Sequence, residues 1–243
     1  MWFAVDWPAP ANVRAISTDR LGGESVAPYE SLNLGDHVGD EATVVLANRA
    51  ALSRDAGLPN EPAWLNQVHG TDVVCLPLTL AAPDADASYS AEADQVCTVM
   101  TADCLPVLFC NADGTEVAAA HAGWRGLLDG VLEATLSRFQ ASPDAIMAWM
   151  GPAIGPKAFE VGPEVRAQFI ARNASAAEAF VAQPNGKYLA DLYALARQRL
   201  LQAGVTRVYG GETCTFSDPE RFFSYRRDGQ TGRQASLIWF TTP

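Results

Sequence analysis

Two apolar runs, LPVLFC (Leu105 to Cys110) and TEVAAAH (Thr115 to His121), flank Asn111-Ala112-Asp113-Gly114. Polar turn residues between strand-like runs, with a glycine free to take positive φ, are a hairpin signature. An antiparallel strand pair is therefore expected in the middle of the chain. With the turn centred between Ala112 and Asp113, Cys104 and His121 are equidistant from it. An undisturbed ladder sets them opposite each other with Cβ atoms roughly 4.5–5.5 Å apart. At that separation a thiolate and an imidazole can share one zinc ion. Pro106, or a bulge at Gly114, would move the register by one residue.

The remaining pattern mixes both element types. A helix is expected from Glu41 to Ala56, with Asp40 as N-cap and Gly57 as its stop. WLNQVHG (Trp64 to Gly70) reads as a strand entering a turn, and VVCLPL (Val73 to Leu78) as the strand leaving it. VCTVM (Val96 to Met100) has the β-branched, apolar content of a buried strand. GLLDGVLEATLSRF (Gly126 to Phe139) has helical periodicity, and further helices are expected over Pro163 to Arg172 and Ala190 to Ala203. VTRVYG reads as a strand, and apolar patterning continues into ASLIWF (Ala235 to Phe240). Strands and helices do not alternate as in a doubly wound sheet, so the fold class expected is α+β with mixed sheets. No internal repeat or linker divides the 243 residues, and one domain spanning 1–243 is expected.

Composition narrows the function. Hydrophobic residues make up 49% and charged residues 19%, a globular balance. No apolar run is long enough for a membrane span. MWFAVDWPAP lacks the basic start of an export signal and carries Asp6, Pro8 and Pro10. The net charge of −11 repels a phosphate backbone, so nucleic acid is not expected as a partner, although a small anion can still bind in a local basic pocket. The five cysteines are odd in number and irregular in spacing, which suits free thiols in a reducing cytoplasm. No obligate protein partner is evident.

Cys104 and His121 both fall where strands end, and His69 falls at a third such place, just before Gly70. Three ligands from three turns leave one tetrahedral position open, the pattern of a catalytic rather than a structural zinc. Two rivals stand beside this reading. Cys104 and His121 form a nucleophilic pair without a metal, or a fourth ligand such as His37 or Asp103 closes a structural site.

The residues around these three positions, NQVHG, TADCLPV and AAAHAGWRG, resemble the signatures of the YfiH-like family. Its members carry the labels laccase-domain or polyphenol oxidase protein, purine nucleoside phosphorylase, and peptidoglycan editing factor. The resemblance spans nearly the whole chain, from PYESLNLGDHVGD (Pro28 to Asp40) through MGPAIGPKAFEVG and KYLADLYALARQRL to FFSYRRDGQTGRQASLIW (Phe222 to Trp239). STDRLGG (Ser17 to Gly23) departs from the family's usual threonine-arginine opening. The resemblance implies a four-layer α/β/β/α arrangement and zinc on His69, Cys104 and His121. It also implies phosphorolysis of adenosine, inosine and methylthioadenosine, together with adenosine deamination.

Among these labels, counting decides against multicopper chemistry. A trinuclear cluster plus a separate copper site needs on the order of ten histidines, and this chain has three: His37, His69 and His121. A single copper replacing zinc remains open. For nucleoside chemistry, Arg125 is the first expected phosphate contact, beside His121 at a helix start. His37 is expected to move a proton or hold the sugar, and Asn33 to bind a ribose hydroxyl or the base. Arg226 and Arg227 are expected to face an anion, with Arg227 the substrate contact. Asp103 is expected to orient a ligand or act as a base. The alternative class is a cell-wall precursor hydrolase working through zinc or a Cys104–His121 pair.

Overall fold

The computed structural model describes residues 1–79 and 81–242. Its strands are β1 (Trp2–Ala4), β2 (Val13–Thr18), β3 (Val73–Cys75), β4 (Ala87–Ser90), β5 (Cys97–Thr101), β6 (Leu105–Asn111), β7 (Val117–Ala122), β8 (Ile146–Met150), β9 (Glu160–Val161), β10 (Phe180–Ala182), β11 (Tyr188–Ala190), β12 (Arg207–Gly210) and β13 (Gln234–Phe240). The helices are α1 (Ala42–Ala56), α2 (Trp124–Asp129), α3 (Val131–Leu136), α4 (Pro163–Arg172), α5 (Leu192–Gln202) and α6 (Tyr225–Asp228). The fold class is α+β. One sheet runs β1-β2-β13-β5, all antiparallel; the larger runs β12-β8-β6-β7-β4-β3, with parallel pairs at both ends; a small antiparallel sheet runs β10-β11-β9. No helix among the described residues is long and apolar enough to cross a membrane.

Period-two alternation stacks these elements into four layers. On β13, Ala235, Leu237 and Trp239 pack with Leu52 of α1, while Ile238 and Phe240 face the other sheet. On β6, Leu108 and Cys110 meet them between the sheets, whereas Val107 and Phe109 face the helices α2 to α5. The order is thus helix, four-stranded sheet, six-stranded sheet, helices. Both faces of β6 and β7 are covered, which explains why neither alternates apolar with polar residues.

Several expectations shift. The hairpin register pairs Pro106, not Cys104, with His121, because the four-residue connection Ala112–Thr115 closes on Asn111↔Glu116 and Cys110↔Val117. The Asn111 side chain sets that closure by accepting from the Thr115 and Glu116 amides. The turn centre moves one residue along, so the facing position moves by two and Cys104 keeps the face that an even shift preserves. WLNQVHG forms no strand and makes only an isolated bridge at Asn66, with a second at Ala63 just before it. The strand over VVCLPL shortens to β3. Glu41, not Asp40, is the N-cap of α1; Asp40 accepts from Ser25 and Asn33 instead. Gly130, at φ 109, splits the predicted helix over 126–139 into α2 and α3. The predicted helix over 190–203 starts later, because Ala190 ends β11 and Asp191 caps α5 by accepting from the Ala194 amide.

Candidate metal centre

The site lies at one end of the space between the two sheets. Along β7, Val117 and Ala119 point into that space, and His121 is the next residue on the same face. The chain crosses from β5 to β6, from one sheet to the other, through Ala102, Asp103 and Cys104 alone. So sharp a corner puts Asp103 at φ 96, in the left-handed region. The Asp103 carboxylate braces it, accepting from Thr215 Oγ1 and from the Arg226 backbone N–H, both at 2.7 Å. Each oxygen is engaged there, and among the described residues Asp103 has no hydrogen bond to the side chains of His69, Cys104 or His121.

Asp86 does what was expected of Asp103. It stands directly before β4, and its carbonyl accepts from the His121 amide, so the two residues face each other across the ladder. Its fully buried carboxylate accepts from His121 Nδ1 at 2.8 Å, and from the amides of Val68, His69 and Gly70 at 3.2, 2.9 and 2.6 Å. One carboxylate thus fixes the His121 tautomer, turning Nε2 toward Cys104. It also pins the loop on which His69 sits at φ 61.

Cys104 Sγ and His69 Nε2 are 3.8 Å apart, the two imidazole rings meet edge-on at 4.8 Å, and the three donor atoms all lie within 4.8 Å of one another. A tetrahedral zinc with ordinary bond lengths separates sulfur and nitrogen ligands by about 3.6 Å. The donor set therefore fits such an ion with small side-chain movements. Among the described residues, no fourth His, Cys, Asp or Glu joins the cluster. The closed structural site, with His37 or Asp103 as fourth ligand, finds no support.

Close approach requires two glycines of HAGWRG. A methyl group on Gly123 would sit 2.8 Å from His69 Cδ2 and 3.1 Å from Cys104 Sγ; one on Gly126 would sit 2.9 Å from the Gly70 carbonyl.

Electrostatics favour the ligand form of the sulfur. Burial opposes ionisation of the Cys104 thiol, but the facing His121 and His69 outweigh it and lower the pKa to about 6. Burial likewise disfavours charge on His121, and Cys104 and Asp86 overcome it and raise its pKa. Cys97 and Cys110, buried without such neighbours, are pushed up to about 12. Alkylation near neutral pH is therefore expected to modify Cys104 in metal-free protein while sparing Cys97 and Cys110. Peptide mass mapping checks this, with exposed Cys75 as the internal standard. Equal modification of Cys104 and Cys110 would contradict the arrangement.

The cluster forms part of the wall of a cavity of about 380 Å³, together with His37, Gln67, Met100, Thr101, Ala102, Tyr225 and Arg233. His37 also borders a larger cavity of about 630 Å³ that contains Arg49 and Trp64. Burial first, then Arg233, lowers the His37 pKa, so it faces the cavity uncharged at neutral pH.

The other expected contacts are placed elsewhere. Arg125 is exposed, stacked on the Trp124 ring at 4.5 Å, outside the cavity. Asn33 is wholly buried and fully bonded: it donates to the Gly35 carbonyl and to Asp40, and accepts from the amides of Gly35 and Arg233. Arg227 donates to the carbonyls of Thr215, Phe216 and Phe222 and pairs with Asp228. Arg226 reaches the Glu160 carbonyl. Arg233 and Tyr225, not singled out in the sequence, line the cavity instead; both lie in the FFSYRRDGQTGRQASLIW block.

The family described as "Multi-copper polyphenol oxidoreductase laccase" matches residues 14–241. The chain is 59% identical over 236 residues to "Purine nucleoside phosphorylase YfiH" of Escherichia coli (strain K12), with 96% of each chain covered. The chain belongs to the YfiH-like family. This YfiH-like chain is also 56% identical to "Purine nucleoside phosphorylase PA4543" of Pseudomonas aeruginosa, with 98% of each covered. Among solved structures, Neisseria meningitidis protein NMB0706 matches at a TM-score of 0.96 and 53% identity, with 99% of each covered. YlmD from Geobacillus stearothermophilus matches at 0.89 and 31%, covering 99% of this chain and 96% of that one.

Proposed function

We propose that the chain is a cytoplasmic, zinc-dependent purine nucleoside phosphorylase acting on adenosine, inosine and methylthioadenosine, and that the same centre deaminates adenosine. Residues 1–243 act as one catalytic domain, with no nucleic acid, membrane or obligate protein partner. The observation that carries this reading is a three-donor cluster with an open side facing a cavity, in a chain 59% identical to a protein named purine nucleoside phosphorylase. A cavity of about 380 Å³, continued past His37, is in the range of small-ligand sites.

His69 and His121 would offer ring nitrogens, His121 giving up its Nε2 proton to a bound ion, and Cys104 a thiolate. Zinc held by His69, Cys104 and His121 would supply Lewis acidity there. Asp86 keeps His121 aligned. In the proposed reaction a phosphate oxygen bonds to C1′ as the C1′–N bond breaks, and the proton of hydrogenphosphate goes to the leaving purine. Uncharged His37 at the cavity wall is placed to relay that proton.

Adenine release from adenosine that depends on both phosphate and metal is the expected result. Metal-loaded protein that releases no base overturns the reading. Metal analysis of protein prepared without added copper separates zinc from copper, and from a metal-free Cys104–His121 nucleophile such as a cell-wall precursor hydrolase would use.

A further inference from the structure

A chain of net charge −11 repels small anions on average, so a dianionic substrate requires a local cation. Among the described residues, Arg233 is the one guanidinium or ammonium group in the wall of the metal-site cavity. Its Nη1 donates to the carbonyls of Thr231 and Gly232, both at 3.0 Å, while Nε and Nη2 have no partner among the described residues. No carboxylate pairs with it among the described residues; the acidic groups nearest its charge are Cys104, Asp103 and Tyr225. A half-buried arginine without a carboxylate is costly unless an anion completes it.

The neighbouring cations are engaged otherwise. Arg49 lies over the Trp64 ring and within 3.5 Å of Asp36, Arg227 is spent on carbonyls and Asp228, and Arg125 lies outside the cavity. Arg233 also borders a second cavity of about 340 Å³ together with His37 and Tyr225, so these three residues are common to the walls of both spaces. The side chain is held there from behind. Gly35 leaves room for its stem, since a methyl group at that position would come within 2.7 Å of Arg233 Cγ, and Asn33 accepts from its amide. A planar fork with two free donor nitrogens matches two phosphate oxygens better than an ammonium does.

We infer that Arg233 is the phosphate-binding residue, holding inorganic phosphate beside His37 on the wall common to both cavities. This rests on the phosphorolysis reading, and the experiment separates the two. In Arg233→Gln the KM for phosphate is expected to rise roughly ten- to hundredfold, as for loss of a hydrogen-bonded charge, with the nucleoside KM changed far less. Arg233→Lys, which keeps the charge and loses the fork, is expected to fall between. Circular dichroism and a melting curve establish that each variant is folded; if Arg233→Gln is not, Arg233→Lys carries the test. An unchanged phosphate KM in a folded variant overturns the inference and leaves the phosphorylase intact. If wild-type protein releases no base, the phosphorylase reading fails. Calorimetric titration with inorganic phosphate then decides this site alone: binding that weakens in the variants supports it, and binding that is absent or unchanged overturns it.

Discussion

Asp86→Ala is expected to cost about 4 kcal/mol of stability and at least tenfold in metal affinity. Few residues in the chain connect so much. Its buried carboxylate satisfies three consecutive amides of the His69 loop and the Nδ1–H of His121. Removing it leaves those donors inside the protein without partners, and frees both imidazoles from the orientation that points them at Cys104. A urea midpoint measured on metal-free protein reads the first effect, and competition against a chromophoric chelator reads the second. Asp86→Asn keeps the volume but aims an amide N–H at donors, so it is expected to behave nearly as badly. The sign of the pH dependence follows. Burial raises the Asp86 pKa, but the hydrogen bond and charge of His121 and the Gly70 and His69 amides outweigh it, so the net shift is downward. The stabilisation is thus complete above the ordinary carboxylate range near pH 4 and is lost as the pH falls through the lower native value. A variant as stable as the parent and retaining its metal would remove Asp86 from the centre.

Gly123→Ala is expected to abolish tight metal binding while leaving the fold largely intact. The Gly123 backbone has φ −58 and ψ 156, angles open to any residue, so no conformational penalty accompanies the change. The added methyl would instead lie 2.8 Å from His69 Cδ2 and 3.1 Å from Cys104 Sγ. Neither neighbour can retreat freely: the His69 loop is tied to Asp86, and Cys104 sits at the tight β5–β6 corner. Metal affinity is expected to fall about a hundredfold or more, the upper range for disturbed ligand support. The melting temperature of metal-free protein is expected to move by only a few degrees. Metal content after dialysis and a melting curve without metal check both halves. Retained stoichiometric metal would show that the loop yields.

The parts of this architecture that were legible in the sequence are those governed by local chemistry. Gly57 takes the left-handed conformation that ends α1, Pro163 opens α4, and the polar turn between β6 and β7 forms within one residue of the expected Asn111 to Gly114. The hidden parts depend on which segments become neighbours. β4 reads Ala-Ser-Tyr-Ser and carries no β-branched residue, so neither the strand nor the role of Asp86 opposite His121 was visible. Trp64 to Gly70 has strand-like composition, yet its last three amides are taken by Asp86 and that of Asn66 by the Pro83 carbonyl, not by a continuous ladder. Among the arginines, nearness to His121 in the sequence singles out Arg125 first, and adjacency singles out Arg226 and Arg227. How many nitrogens of a guanidinium are taken is a tertiary fact: all three of Arg227 are engaged, whereas, among the described residues, only Nη1 of Arg233 is.

The last strand, β13, is inserted between β2 and β5, and β5 has no other neighbour in its sheet. The corner bearing Cys104 springs from β5, and its brace Asp103 is tied to Thr215 and to Arg226, which is 123 residues further along. While the chain is being synthesised, the β5 side of that corner is therefore expected to settle only once β13 has paired with it. Nascent chains stalled before Gln234 should hold two histidines in waiting and load no ion.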